Sequence, residues 1–378
     1  MAYFDKYGVE FTDDRKTLVR CPQDLQGTFV IPEGVKNISG SFWGEKRYYK
    51  EGAFENCKFI ETIIIPTSVV EIDDGAFANT RSLKHIYVDG MNNCFCSKDG
   101  ILYNKEKSKL IWCPEQYVGT LNIDNTVKTI DNSVGNSKVD TICLVEGSEY
   151  YTIRDGILYD KNMTRLIVCP KFKYGVANIP IGIKTIESMA FKNCLALKTV
   201  IIPDSVQKIG YEAFGNCTAL KNVKLPNART QIGPYCFANC TALFEIVIPP
   251  NVYFEEVGAE GVELYGTFLN CTGLSNIIFM EGREEIEGDA ADECIFANCT
   301  SIKSISFPKS LKSLHVHCWG ESISKVLVPL GEKERYIKML NNNEESIRKY
   351  FKNLINIKEV ESYLRTIQKY KDCIEEAK

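Results

Sequence analysis

Apolar positions return along this chain at a fixed step. A small residue, Phe, any residue, Asn and Cys follow one another as Ala53-Phe54-Glu55-Asn56-Cys57, Ala190-Phe191-Lys192-Asn193-Cys194, Ala213-Phe214-Gly215-Asn216-Cys217 and Cys236-Phe237-Ala238-Asn239-Cys240, with looser copies ending at Thr80, Cys271 and Cys299. Cys57 to Thr80, Cys194 to Cys217 and Cys217 to Cys240 are steps of 23 residues, and the next two lengthen to 31 and 28 through insertions of 8 and 5. Each phrase is followed by a run such as Leu197-Lys198-Thr199-Val200-Ile201-Ile202, whose alternation puts Val200 and Ile202 on one face and Thr199 and Ile201 on the other. That pattern predicts a short strand. Pro203, which has no N–H for a ladder, ends it and turns the chain. The Phe fills the interior. The Asn (Asn56, Asn79, Asn136, Asn193, Asn216, Asn239, Asn270, Asn298) sits at the bend, where its amide can pair with turn backbone and stack on its equivalents in neighbouring coils. One such unit cannot bury its own apolar face, so the expectation is a stack of coils with a parallel sheet along one side.

A longer repeat of 32 residues covers 7–38, 99–130 and 155–186, with Asp99-Gly100-Ile101-Leu102-Tyr103 and Leu110-Ile111-Trp112-Cys113-Pro114 matching Asp155-Gly156-Ile157-Leu158-Tyr159 and Leu166-Ile167-Val168-Cys169-Pro170. Two apolar runs joined by a polar, Lys-rich turn predict a β-hairpin inserted in the stack. About thirteen strands spaced by ~4.8 Å would extend about 60 Å. Near the end, Val360, Tyr363, Leu364, Ile367, Tyr370 and Ile374 recur at helical spacing. The expected organisation is therefore one continuous array over 1–358, with a closing unit at 326–358, and an amphipathic helix over 359–378 that covers the last coil. A helix used that way favours a monomer over a dimer.

The phrases Ala-Phe-x-Asn-Cys-x-x-Leu-x-x-Val-x-Ile-Pro-x-Ser-Val and Asp-Gly-Ile-Leu-Tyr resemble the BspA-like leucine-rich repeat family over about residues 7–360, and Val326-Leu327-Val328-Pro329, Tyr336 and Phe351-Lys352-Asn353-Leu354-Ile355 resemble its closing unit. The resemblance implies a right-handed, β-rich leucine-rich-repeat solenoid without catalytic residues. It further implies a role in adhesion or protein binding, commonly on bacterial surfaces. Met1-Ala2-Tyr3-Phe4-Asp5-Lys6-Tyr7-Gly8 lacks the basic and apolar stretches of an export signal, and no run approaches 18 apolar residues. The expected location is the cytoplasm, with an exported cell-surface adhesin as the alternative.

Composition changes the picture in two places. The 378 residues are 44% hydrophobic and 25% charged with net charge −4, which excludes collagen-like, disordered and polycationic nucleic-acid-binding classes. Sixteen cysteines would suit a small disulfide scaffold, but this chain is long enough to bury a core. Cys57, Cys194, Cys217, Cys240, Cys271 and Cys299 occupy one phase of the repeat, and Thr80 replaces them without stranding a partner. Reduced, buried thiols are the expectation there, with Cys94, Cys96 and Cys373 outside the phase and more exposed. No phosphate-binding loop, dinucleotide fingerprint, nucleophile elbow or zinc-protease motif occurs, so neither an enzyme nor a cofactor is expected. His315-Val316-His317-Cys318 is the one metal-like group, and a metal-binding or enzymatic protein centred on His315 and His317 is the rival reading. It aligns as a degenerate repeat and lacks a second pair of ligands nearby, so no metal site is expected.

Two surfaces qualify as binding candidates. The outward middle positions of successive strands are Ile64, Tyr87, Cys143, Ile201, Lys224, Val247, Ile278, Ser306 and Leu327, of which Ile64, Tyr87, Ile201, Lys224, Val247 and Ile278 are the candidate contacts. A contiguous apolar stripe on a solenoid face suits a protein or glycan partner. Residues 249–296 hold Glu255, Glu256, Glu260, Glu263, Glu281, Glu284, Glu285, Glu287, Asp289, Asp292 and Glu293 against Arg283 alone, a local charge of −10 that leaves +6 elsewhere. Those insertions are candidates for a basic partner or a weak Ca²⁺ site, or else form a solvated edge. No nucleic-acid partner and no membrane span are expected.

Overall fold

A computed structural model describes residues 2–43, 49–254, 266–286, 295–314, 323–350 and 357–377. Two compact units, Met1–Asn162 and Met163–Lys378, are described in turn. In the first, Gln26–Val30, Phe59–Ile65 and His85–Val88 pair in parallel, as do Val118–Ile123 and Lys138–Leu144. Each coil contributes a second, shorter strand to another parallel ladder, running Thr17–Arg20, Asn37–Ile38 and Glu71–Ile72. In the second unit, Gly175–Asn178, Leu197–Ile201 and Asn222–Lys224 form one parallel sheet, and Glu245–Ile248, Asn276–Phe279, Ser304–Ser306 and Lys325–Val328 form another. The short strands Thr185–Ile186, Lys208–Ile209, Thr230–Ile232 and Val252–Phe254 run beside them. Val200 and Ile202 are buried while Ile201 is exposed, as their alternation requires.

The repeat phrase builds the corner of each coil. Phe191, Phe214, Phe237, Phe268 and Phe296 stack at centroid separations of 4.9–5.3 Å with planes within 15° of parallel, and Phe54 and Phe77 stack in the first unit at 5.5 Å and 16°. Fully desolvated rings at van der Waals spacing fill the interior without voids. Each Asn that follows has a left-handed backbone, with φ between 55° and 63° at Asn56, Asn79, Asn193, Asn216, Asn239, Asn270 and Asn298. Asn tolerates this conformation because its short polar side chain finds local partners. Its amide donates to the Oδ1 of the Asn one coil earlier, at 2.9 Å for Asn216 to Asn193, 2.8 Å for Asn239 to Asn216 and 3.0 Å for Asn270 to Asn239. From Cys217 to Cys299 the Cys beside it sends its thiol to the carbonyl of the previous coil's Phe, as Cys217 does to Phe191 at 3.1 Å, while Cys57 and Cys194 reach the Pro22 and Pro170 carbonyls. Thr80 donates instead to Phe77 of its own coil at 2.7 Å.

Three expectations need correction. Asn136 does not join the amide ladder: it ends a one-turn helix, α1 (Ser133–Asn136), and Ser137 donates to Val134 at 2.7 Å. The link from Ser137 to the strand residue Val139 is one residue shorter than that from Cys194 to Leu197, which leaves no room for the left-handed bend. Second, the inserted hairpins gain a strand. Phe95–Lys98 pairs antiparallel with Ile101–Asn104, which pairs with Lys109–Trp112, and Tyr151–Arg154 pairs likewise with Ile157–Asp160. Third, the C-terminal segment holds two helices, α2 (Lys333–Tyr350) and α3 (Ile357–Asp372), rather than one helix over 359–378. Residues 333–350 of the expected closing unit are thus helical. Ile374 lies in a strand, Ile374–Glu376, that pairs in parallel with Lys325–Val328. One strand-edge ladder accepts three more residues there, which satisfies backbone groups that a continued helix would leave open. Tyr336 and Leu340 of α2 and Tyr370 of α3 meet Phe307, Leu314, Val326 and Ile374 around a small apolar cavity.

Candidate binding face

The outward positions form columns set by register. In the first unit Val30 aligns with Ile64 and Ile64 with Tyr87, and the next column aligns Thr28, Thr62 and His85. Val30 is 57% and Tyr87 46% exposed, Ile64 is half-buried between them, and the Tyr87 ring stacks on His85 at 5.5 Å. Cys143 is exposed and aligns with Asn122. In the second unit Asn178, Ile201 and Lys224 share a column, as do Val247, Ile278, Ser306 and Leu327. The candidate stripe therefore exists as register-aligned runs. Ile201 and Lys224 are exposed, while Val247 and Ile278 are half-buried. Parallel in-register stacking at ~4.8 Å makes each column a continuous surface.

Of the acidic candidates, Glu284 and Glu285 are exposed, and Glu284 pairs with Lys312 at 2.8 Å. The Glu281 carboxylate accepts the Lys309 N–H at 2.9 Å. Arg283 is no counter-charge for them. Its guanidinium donates to the carbonyls of Pro249 and Val252, holding the preceding coil's turn. Glu255, Glu256, Glu260, Glu263, Glu287 and Asp289 lie outside the described residues, as do Asp292, Glu293, His315, His317 and Cys318. Among the described residues no group of three or more His, Cys, Asp or Glu side chains could hold a metal ion. Burial pushes the Cys57 and Cys240 thiols up to about 12, so they stay protonated and chemically quiet at neutral pH. All 14 described cysteines are free thiols, and Cys94, Cys96 and Cys373 are half-buried.

Further exposed residues adjoin the stripe in sequence or register. Phe172 and Tyr174, in the turn before Gly175–Asn178, are 70% and 80% exposed, and Val176 is 49% exposed. Lys198 and Lys221 occupy the position next to the outward column, where the Lys221 N–H donates to the Lys198 carbonyl at 2.8 Å. Their 23-residue separation was the available signal; the bulge between Gly175 and Val176, which turns that position outward, was not visible in the sequence.

The chain matches the family model described as the BspA type leucine-rich repeat region in six copies, at residues 42–98, 169–261 and 265–370. No curated protein matches it in sequence. Among solved structures it is similar to the pneumococcal vaccine antigen PcpA, at 16% identity and TM-score 0.55, covering 91% of this chain and 96% of that one. A leucine-rich repeat protein from Eubacterium ventriosum matches at 19% identity and TM-score 0.47, over 80% of this chain and 81% of that one. A leucine-rich cell surface protein from Faecalibacterium prausnitzii matches at 19% identity and TM-score 0.37, over 84% and 99% respectively. The likeness to the pneumococcal antigen is one of fold.

Proposed function

Because this chain belongs to the BspA-type leucine-rich repeat family, we propose that it is a non-catalytic scaffold whose outward sheet face binds a protein or glycan partner. The observation that supports this most is the alignment of outward apolar side chains: exposed Val30 and Tyr87 flanking half-buried Ile64 in one unit, exposed Ile201 and Val176 on neighbouring strands in the other. Apolar surface held in register on rigid strands costs solvation free energy unless something covers it, and its rigidity spares a partner the entropy of ordering it. In this reading the coils wind right-handedly and α2 and α3 close the last coil, with Arg335 and Tyr336 donating to the Leu311 and Pro308 carbonyls. Glu284, Glu285 and the acidic insertions around them serve as a second contact for basic groups of the partner. The protein acts in a thiol-reducing compartment such as the cytoplasm, which suits a core lined with free cysteines. Recovery of the native protein in the envelope fraction would reverse that placement in favour of a surface adhesin.

The test is capture of the native partner by wild type and by a Tyr87→Ser, Ile201→Ser, Ile278→Ser variant. Tyr87 and Ile201 are exposed and Ile278 is half-buried, so the fold should persist, and retained partner is expected to drop at least about tenfold, the loss of ~1.4 kcal/mol. Undiminished capture by a folded variant overturns the face as the binding surface.

A further inference from the structure

The outward face is not uniform in charge pairing. In the first unit Glu61 and Lys84 occupy neighbouring coils at one outward position, where the Lys84 N–H donates to the Glu61 carbonyl and the side chains pair at 2.8 Å. At the far end of the second unit Lys325 pairs with Glu375 at 2.9 Å. The equivalent of the first pair in residues 197–224 is Lys198 and Lys221, two cations in adjacent coils whose strands are spaced by ~4.8 Å. Lys224, three residues on, adds a third. All three are exposed and, among the described residues, none forms an ion pair. Glu245, one coil further, forms none with them either. Like charges on neighbouring strands oppose folding, and a single Glu at position 198 would remove that opposition, as the first unit shows.

The same face carries apolar groups between and beside the lysines. Val176 aligns with Thr199 and Asn222, and Ile201 lies between Asn178 and Lys224 in the adjacent column. Tyr174 and Phe172 lie just before that sheet and are the most exposed aromatic rings among the described residues of the second unit. Over residues 163–224 the sequence holds nine Lys and Arg against three Asp and Glu. Two of those acids are already engaged: Glu187 pairs with Arg165 and Glu212 with Lys192. An uncompensated cationic triad set among aliphatic and aromatic side chains fits a ligand that is anionic and apolar at once. A phosphodiester or sulfated chain would meet the lysines but leave Val176, Ile201 and Tyr174 without a match. A peptide with carboxylates and apolar side chains in alternation meets both.

We propose that the face formed by Phe172, Tyr174, Val176, Lys198, Ile201, Lys221 and Lys224 docks an acidic, apolar-containing peptide segment of a partner protein. This rests on the protein-binding reading of the sheet face and narrows it to one stretch and one chemistry. The lysine ammonium groups pair with Asp or Glu carboxylates, and Val176, Ile201 and Tyr174 receive the apolar side chains. The retained Lys198–Lys221 repulsion is then relieved on binding.

The full chain is titrated, by fluorescence anisotropy, into a labelled peptide of alternating glutamate and leucine. The same peptide with lysine for glutamate, a heparin oligosaccharide and a single-stranded DNA oligonucleotide serve as comparisons. The glutamate–leucine peptide is expected to bind most tightly and to weaken as salt rises. Lys198→Glu and Lys224→Glu should each lower its affinity about tenfold or more. Lys198→Glu should also leave the melting temperature equal or higher, because it recreates the Glu61–Lys84 arrangement, a result that a merely structural lysine would not give. Absence of binding, affinity unchanged in both folded variants, or tighter binding of heparin or DNA overturns the proposal. If the peptide fails while the Tyr87, Ile201 and Ile278 variant still loses the native partner, the docking face stands and only its acidic ligand falls.

Discussion

Asn216 shows why this sequence uses asparagine where a simpler turn residue would serve. Its backbone φ of 59° is one that glycine adopts freely and other residues resist by about 1–2 kcal/mol. Its side chain donates to Asn193 at 2.9 Å and accepts from Asn239 at 2.8 Å, so it sits in the middle of an amide ladder. Two functions are thus combined, and substitution separates them. Asn216→Gly keeps the backbone and loses the ladder, which should cost roughly 1–2 kcal/mol at about 1 kcal/mol per hydrogen bond. Asn216→Ala loses both and should cost roughly 2–4 kcal/mol. Urea denaturation orders the three proteins as wild type, Gly, Ala; an Ala variant at least as stable as the Gly variant would show that the left-handed bend carries no penalty. The recurrence of Asn was plain in the sequence, as was its place at a bend. The handedness of that bend was not, because Asn also serves ordinary turns.

At the level of elements, the coil was the most legible and the hairpins the least complete. Alternation, the proline and the buried Phe named the strand, its end and its inward side, and these depend on nearest neighbours in sequence. The extra strand Phe95–Lys98 lacks that clarity: only Phe95 is buried, and what creates it is the Asp99-Gly100 turn. Asp99 and Gly100 have φ of 56° and 81°, and Asp155 and Gly156 have 51° and 77°, the paired positive angles of a two-residue hairpin turn that follows the strand twist. The two turns are alike in sequence and differ in surroundings. A Cβ on Gly100 would lie 2.6 Å from His85 Nδ1 and 3.3 Å from its Cα, whereas one on Gly156 meets nothing within 4 Å. Gly156→Ala should therefore cost about 1–2 kcal/mol of backbone strain alone. Gly100→Ala should cost more, through displacement of His85 and its stacked partner Tyr87, and a thermal melt of both variants checks the order. Equal losses would mean that His85 moves aside freely.

On the scale of the whole molecule, buried thiols and segregated charge set how the protein responds to its medium. Burial raises the Cys57 and Cys240 thiols to about 12, and raises Cys217 and Cys236 as well. A folded-state pKa above the unfolded value of about 8.5 means that the unfolded chain loses protons first as pH climbs. The associated stability is complete below about pH 8.5 and is lost between there and about 12, at up to roughly 1.4 kcal/mol per pH unit for each buried thiol. Guanidinium denaturation should give a steep loss of stability from pH 8 to pH 10.5, made shallower by Cys240→Ala, whereas a flat profile would contradict the burial of these thiols. Charge is the other global property. The net −4 divides into −10 over residues 249–296 and +6 elsewhere, and three of the lysines unpaired among the described residues, Lys198, Lys221 and Lys224, lie on a sheet face of the second unit.

The coil is written in the chain's periodicity: its 23-residue length, its strand, its inward Phe and thiol, and its membership in a stack all follow from the repeat and from the need of an apolar face for a copy of itself. Which side chains become neighbours across coils is set by register in three dimensions. Register brings Glu61 to Lys84 but Lys198 to Lys221, a bulge turns Lys198 outward, and the strand Ile374–Glu376 ends a segment that reads as helix. Those outcomes turn on shifts of one residue between distant segments. Local pattern is blind to such shifts, and the free energy that selects among them comes from stacking and hydrogen bonds formed only when the coils close on one another.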